Sequence, residues 1–291
     1  MNVHLVDGTY ELFRHYYGAP RALSVDGQEV GAIRGVLGSM LGMLGDGATH
    51  IAVATDHVIE SFRNSLWRGY KTGEGIEPEL WAQFHPLEDA LEAMGITVMR
   101  MIEFEADDAL AAGAAKAAAD PRVSRVLICT PDKDLAQSVV DSRVVQFDRR
   151  ARVIRDADGV RKKFGVPPAS IPDYLALTGD SADGYPGLPG WGAKSATAVL
   201  AHYGTIEHIP DDHRQWAVQV RGAAQLGATL AEYRAQANLF KALATLRLDA
   251  PVFASVDAIW WTGPRPGFPA VCERLGATSL SQRAARITPA I

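Results

Sequence analysis

Five short apolar runs divide the first half of the chain: NVHLV (2–6), HIAVAT (50–55), ITVMRM (96–101), RVLICT (125–130) and VVQF (144–147). Longer segments with helical spacing lie between them, such as Ile33, Val36, Leu37, Met40, Leu41 and Leu44. That alternation restricts the fold to an α/β arrangement, with parallel strands at the centre and helices on the faces. Continuous apolar runs are what strands become when both faces are covered. The expected architecture is a central, mostly parallel sheet flanked by helices.

From about residue 165 the strand pattern stops. GVPPASIPDYLALTGD reads as a turn and then a short helix. SADGYPGLPGWGAKSATAVLAHYG reads as a Gly/Pro-rich hairpin feeding an apolar helix. Residues 211–247 look helical, with a long stretch from Gly222 to Leu246. The tail from 248 carries Trp260, Trp261, Pro264 and Pro266 before a last helix-like run, and the 211–291 region is expected to pack back on the first half.

Three apolar runs each lead into aspartates. Asp7 follows NVHLV, Asp56 follows HIAVAT, and Asp132 and Asp134 follow RVLICTP. Ligands of open α/β sheets bind outside the carboxyl ends of the strands, so these acids are aimed at one edge. Glu105, Asp107 and Asp108 come just after ITVMRM, and Asp180 and Asp183 open the hairpin. A lone Asp at a strand end is usually a turn or cap residue. Acids in the first turn of a helix gain about 0.3–1 kcal/mol each from the macrodipole. Neither effect explains separate clusters aimed the same way. Packed carboxylates repel unless a cation joins them. All-oxygen sets suit Mg²⁺ or Mn²⁺ rather than zinc. Two such ions are a recurring device for phosphodiester cleavage, one activating water and the other stabilising the leaving oxygen.

A phosphodiester substrate needs cations nearby. RNSLWRGYK (63–71) offers Arg63, Arg68 and Lys71 with Trp67 and Tyr70 interleaved. On a helix, positions 63, 67, 70 and 71 share a face. The bland reading is an amphipathic helix with solvated cations. Arg14, one turn past Tyr10, is a weaker choice. GLPGWGAKSA (187–196) approaches a phosphate-binding P-loop, but Ala193 stands where the lysine is required. What fits is a tight hairpin, with Gly190 and Gly192, opening a helix whose free N–H groups hold a phosphate beside Lys194 and Ser195.

Composition adds bounds. Lys and Arg number 29 against 34 Asp and Glu, a net charge of -5, which neither demands nor excludes nucleic acid. Cys129 and Cys272 give no metal spacing and no disulfide framework. No run approaches the roughly 18 apolar residues of a membrane span. MNVHLVDG lacks the layout of a signal peptide. The expectation is a cytoplasmic protein.

Taken together, LVDGTYELFR, ATDHVIESFRNSLWRGYK, FEADDALA, CTPDKDLAQ and LALTGDSADGYPGLPGWGAKSA resemble the motifs of the 5′-nuclease family, in its order and over nearly the whole chain. That family comprises the 5′→3′ exonuclease domain of bacterial DNA polymerase I and the flap endonucleases. The resemblance implies a nuclease core over 1–165 with a helical arch at about 60–95. It implies a helix–three-turn–helix duplex-binding subdomain over 166–210, with K⁺ held by hairpin carbonyls. Asp7, Asp56, Glu105 and Asp107 would surround a first Mg²⁺ or Mn²⁺, and Asp132, Asp134 and Asp183 a second. Asp108 and Asp180 match extra acids of the bacterial branch, some acting through water or at a third ion. Lys71 would contact the scissile phosphate and Tyr70 would stack on a base. Arg14 and Arg63 would steer the 5′ end. The implied partners are DNA with 5′ ends, nicks or flaps, and RNA primer–DNA hybrids, acted on by a monomer in the bacterial cytoplasm near the nucleoid.

Two departures stand out. The family pattern has Asp-Asn-Ile-Pro-Gly where this chain has Asp183-Gly184-Tyr185-Pro186-Gly187. The arch beyond Lys71 is usually basic, yet no Lys or Arg occurs from Thr72 to Met99, where Glu74, Glu77, Glu79, Glu88, Asp89 and Glu92 lie. A DNA-junction binder with little catalysis is the alternative. A phosphatase of the haloacid dehalogenase type, suggested by Asp7-Gly8-Thr9, fails because position 9 is not the second aspartate.

Overall fold

The structure, a computed structural model, describes residues 1–289. It divides into two compact units. The first comprises Met1–Ile59, Gly73–Thr130 and the C-terminal stretch from Leu248. The second comprises Glu60–Thr72 and Pro131–Arg247.

The first unit is built on four parallel strands, β1 (Asn2–Asp7), β2 (His50–Asp56), β3 (Thr97–Met101) and β4 (Arg125–Cys129), in the order β3-β2-β1-β4. Val3, Leu5, Val6, Ala52, Val53, Ala54, Val126 and Ile128 are fully buried, as continuous apolar strands covered on both faces must be. The Gly31–Gly45 helix turns Ile33, Val36, Leu37, Met40, Leu41 and Leu44 into the core, the face that its spacing predicted. The Gly8–Gly18, Phe84–Ala93 and Ala106–Ala119 helices complete the layers. Cys129 is buried at the end of β4. Among the described residues no helix is long and apolar enough to cross a membrane.

The second unit is mainly helical. An antiparallel ribbon of β5 (Val144–Asp148) and β6 (Val153–Arg155) precedes the Ala157–Phe164 helix. The Ile171–Thr178 and Ala193–Tyr203 helices flank the Gly/Pro hairpin, and the Ala223–Ala244 helix packs on the former. Tyr185, Trp191, Leu200, Leu230 and Phe240 lie in its core.

Candidate metal centres and cation sites

In the first unit the acids sit at carboxyl ends, as expected for a parallel sheet. Asp7 ends β1 and caps the next helix: Oδ1 accepts the Tyr10 N–H at 2.8 Å, and Oδ2 accepts the Thr130 hydroxyl at 2.9 Å. Asp56 ends β2, and its Oδ1 accepts the Ala106 N–H at 2.8 Å. Glu105 and Asp108 form a reciprocal capping box at the start of the Ala106–Ala119 helix. Asp108 is fully buried and its Oδ2 accepts the Glu105 N–H at 3.0 Å. Asp108 thus fastens the helix start, while Asp107 is half-buried beside it. Arg14 is tied to the buried Glu11 carboxylate, which orients it and limits its reach.

The second unit brings acids closest together. Among the described residues, Asp134, Asp180 and Asp183 offer carboxylate oxygens that all lie within 4.8 Å of one another. Asp134 opens a short 3₁₀ turn, and its N–H donates to Asp132 Oδ1 at 2.9 Å. Asp180 and Asp183 lie on a turn closed by paired backbone bonds between Asp180 and Tyr185. Burial, and then the charges of Asp132, Asp183 and Asp180, hold the Asp134 carboxyl well above the ordinary range. Its Oδ1 is buried without a hydrogen-bond partner. An orphaned carboxylate oxygen in an all-oxygen trio fits a hard divalent cation.

Lysine ammonium groups lie on this trio. Lys71 Nζ is 3.0 Å from Asp183 Oδ1, and Lys133 Nζ is 2.7 Å from Asp180 Oδ2. Lys133 was missed at the sequence level, although it stands between Asp132 and Asp134. Tyr185 was missed as well. It is 1% exposed, its hydroxyl is buried without a hydrogen-bond partner, and burial followed by the charge of Asp134 pushes its pKa upward.

The structure corrects the reading of 63–71. The helix covers only Arg63–Leu66, and Trp67 is extended, so no helical face joins positions 63, 67, 70 and 71. Arg63 is 1% exposed and faces inward. Its Nε donates to Leu243 O at 2.7 Å and its Nη2 to Thr245 O at 3.1 Å, which satisfies carbonyls left over at a helix end. It therefore cannot steer a 5′ end. Tyr70 is 4% exposed within the apolar core of this unit, so it offers no face to a base. Arg68 is exposed.

The Asp183-Gly184-Tyr185 departure also has a local cause. Lys71 N–H donates to Asp183 O at 3.0 Å, and the Trp67 indole N–H donates to Gly184 O at 3.0 Å. Gly184 has a φ of +82°, and a Cβ there would collide with Gly69 O. A Cβ on Gly69 would in turn lie 2.8 Å from Trp67 Nε1 and 3.2 Å from Gly184 O.

At the hairpin, Gly190 has a φ of +80°, and Gly192 precedes the Ala193–Tyr203 helix. Ser195 Oγ accepts the Gly192 N–H at 3.1 Å and donates to Gly192 O at 3.0 Å, so its hydroxyl serves the cap. Lys194 is exposed. An open cavity of about 780 Å³ runs along Gly190, Gly192, Lys194, Ser195, Gln219 and Arg221. Arg221 lies beyond the reach of local motif reading.

Comparisons with known proteins agree with this layout. Residues 2–165 match the family model described as 5′-3′ exonuclease, N-terminal resolvase-like domain. Residues 166–266 match the one described as 5′-3′ exonuclease, C-terminal SAM fold. DNA polymerase I of Pseudomonas aeruginosa is 34% identical over 266 residues, covering 88% of this chain and 28% of that protein. The chain spans 25–32% of the length of the DNA polymerase I relatives of this kind. The 5′-3′ exonuclease of Buchnera aphidicola is 30% identical over 260 residues, covering 88% of this chain and 89% of that protein. Two solved structures share the fold. T5 D15 protein co-crystallised with metal ions has a TM-score of 0.65 at 19% identity, covering 99% of this chain and 98% of that one. The catalytic core of Rad2 in complex with DNA substrate has a TM-score of 0.64 at 16% identity, covering 98% and 91%. With consecutive family models running from residue 2 to residue 266, the chain belongs to the 5′-3′ exonuclease family.

Proposed function

We propose that the protein is a metal-dependent, structure-specific 5′ nuclease that hydrolyses phosphodiester bonds of DNA near a 5′ end or junction. The observation that carries this reading is the Asp134–Asp180–Asp183 trio, with Asp134 and Asp180 buried, Asp183 half-buried and one oxygen orphaned, in a chain of this family. A pure binding protein gains nothing from concentrated negative charge beside phosphates.

Asp7, Asp56, Glu105 and Asp107 of the first unit would hold one Mg²⁺ or Mn²⁺, and Asp132, Asp134, Asp180 and Asp183 of the second unit another. When bound, such ions polarise the phosphodiester and lower the pKa of an attacking water. Lys71 and Lys133 offset the trio's charge, and Lys71, with its side chain 30% exposed, can turn from Asp183 to a phosphate oxygen. The hairpin, Lys194 and Arg221 would grip the duplex backbone, with K⁺ on the hairpin carbonyls. Nicked and flapped DNA are the proposed substrates, with RNA primer–DNA hybrids as a second class, acted on by a monomer in the bacterial cytoplasm near the nucleoid.

Labelled duplexes carrying a nick, a short 5′ flap or a long 5′ flap, incubated with Mg²⁺, Mn²⁺ or EDTA, test the reading. Metal-dependent cutting near the junction is expected. Junction binding without cutting under either metal would leave the binding-protein alternative standing.

The acidic 72–99 segment predicts weak capture of a single-stranded 5′ arm. Glu77 already accepts the Tyr16 hydroxyl at 2.9 Å, and Glu79 pairs with Arg21 at 2.8 Å, which pins this segment to its neighbours in the first unit. Glu74→Lys with Glu77→Lys should raise the long-flap rate relative to nicks and steepen its salt dependence. Unchanged values for both would refute the idea. Lys194→Ala should weaken duplex binding about equally across sequences and reduce the salt slope by about 1. A full wild-type slope would remove Lys194 from the interface.

A further inference from the structure

Asp56 closes β2, and successive side chains of a strand point to opposite faces. Thr55 therefore points to the face that Asp56 does not use, and His57, in the bend just after the strand, turns to the same side. One carboxylate holds both. Thr55 Oγ1 donates to Glu88 Oε1 at 2.7 Å, and His57 Nδ1 lies 2.8 Å from Glu88 Oε2. Glu88 belongs to the Phe84–Ala93 helix and is 1% exposed. Arg100 of β3, the register partner of Thr55, places its Nε 3.1 Å from the same Oε2. His85 stacks on the His57 ring at 4.1 Å and 11°. The His57 N–H donates to Met101 O at 2.9 Å. On the opposite side, Asp56 Oδ1 accepts the Ala106 N–H, at the start of the helix that carries Asp107.

We propose that Glu88, acting through Thr55 and His57, is a positioning residue for Asp56: it grips the strand end from one face and so aims the Asp56 carboxylate at the metal set on the other. Rotation of the backbone at Asp56 would break both bonds to a carboxylate that has no access to water in exchange, and the Ala106 N–H holds the Asp56 side chain on that fixed backbone. Family motifs gave no sign of this clamp, since its parts are 33 residues apart in the chain and none of them is an obvious ligand. The proposal rests on the metal-dependent reading given above.

Three variants of the full chain test it. Thr55→Val keeps the shape and removes the hydroxyl, Thr55→Ser keeps the hydroxyl, and Glu88→Gln removes the charge. The Mn²⁺ dissociation constants are measured by calorimetry without DNA, beside the thermal midpoint in EDTA. Losing a partner bonded to a metal ligand typically weakens metal affinity about 10–100-fold, and because this clamp acts on Asp56 through the backbone, the low end, a rise of about 10-fold for one class of Mn²⁺ site, is expected in Thr55→Val and Glu88→Gln. Thr55→Ser should restore wild-type affinity. Should Glu88→Gln fail to fold, the Val and Ser pair still decides the question. A lowered midpoint with unchanged Mn²⁺ affinity in Thr55→Val would overturn the proposal and leave Glu88 a packing residue. A wild type that binds no Mn²⁺ and cuts no DNA would instead overturn the metal-dependent reading, and this proposal with it.

Discussion

Asp134→Asn should lower DNA cleavage by about 10³-fold, the equivalent of the several kcal/mol that a correctly held metal ion supplies. The same variant should melt at a higher temperature than its parent in EDTA. Both results follow from one arrangement. Asp134 is 5% exposed and shares its surroundings with Asp132, Asp180 and Asp183. Burial, then those charges, raise its pKa in the folded chain. An unfolded aspartate ionises near pH about 3.9. The folded chain holds the proton to higher pH, so stability without metal is full below about pH 4 and declines as the pH rises through the folded value. Asparagine carries no charge and escapes that decline. Its advantage in thermal midpoint should be absent near pH about 4 and reach at least about 2 °C near pH 8. Added Mg²⁺ should raise the parent's midpoint more than the variant's. Calorimetry at both pH values decides the matter, and equal midpoints at pH 8 would show that the trio stores no repulsion.

Arg63→Ala should destabilise the chain by about 3 kcal/mol or more, from an orphaned buried carbonyl at Leu243, a part-buried one at Thr245 and an emptied site. The DNA affinity of the molecules that remain folded should stay the same. Arg63 packs over the Phe62 ring at 4.6 Å and donates to Leu243 O and Thr245 O, so its charge is spent inside the protein. Arg63→Lys should recover only part of the loss, because an ammonium cannot reproduce the planar fork of donors. Urea unfolding gives the first quantity and salt-resolved DNA binding the second. A stable Arg63→Ala protein with weakened DNA affinity would return this residue to the substrate surface.

The parallel core and its acids were legible because each rests on a short-range signal. An apolar run of four to six residues sets a strand, and the residue just after it is delivered to the carboxyl edge whatever the rest of the chain does. Asp7 and Asp56 needed nothing more. Arg63 and Tyr70 were misread because their surroundings come from elsewhere. The carbonyls that capture Arg63 lie 180 and 182 residues further along, and no local pattern announces them. The helical face drawn through Arg63, Trp67 and Tyr70 failed for the same reason. The indole of Trp67 is drawn to Gly184 O, 117 residues away, and the chain leaves helical geometry to follow it. Lys133 was visible but overlooked, since a lysine between two aspartates reads as ordinary charge balance. β6 is only three residues long, too short for its alternation to register.

The mutual fit of Gly69 and Gly184 constrains how such a sequence can drift. Each glycine leaves the room that the other's backbone occupies, so the asparagine usual in the family cannot be restored at 184 by a single exchange. Grafting the common motif onto this chain would wedge the hairpin away from Lys71, whose amide and ammonium both hold Asp183. The obstacle is the main-chain oxygen of residue 69, which every residue type carries, so an asparagine at 184 would call for a shift of the backbone from Trp67 to Lys71 and not for an exchange of side chains.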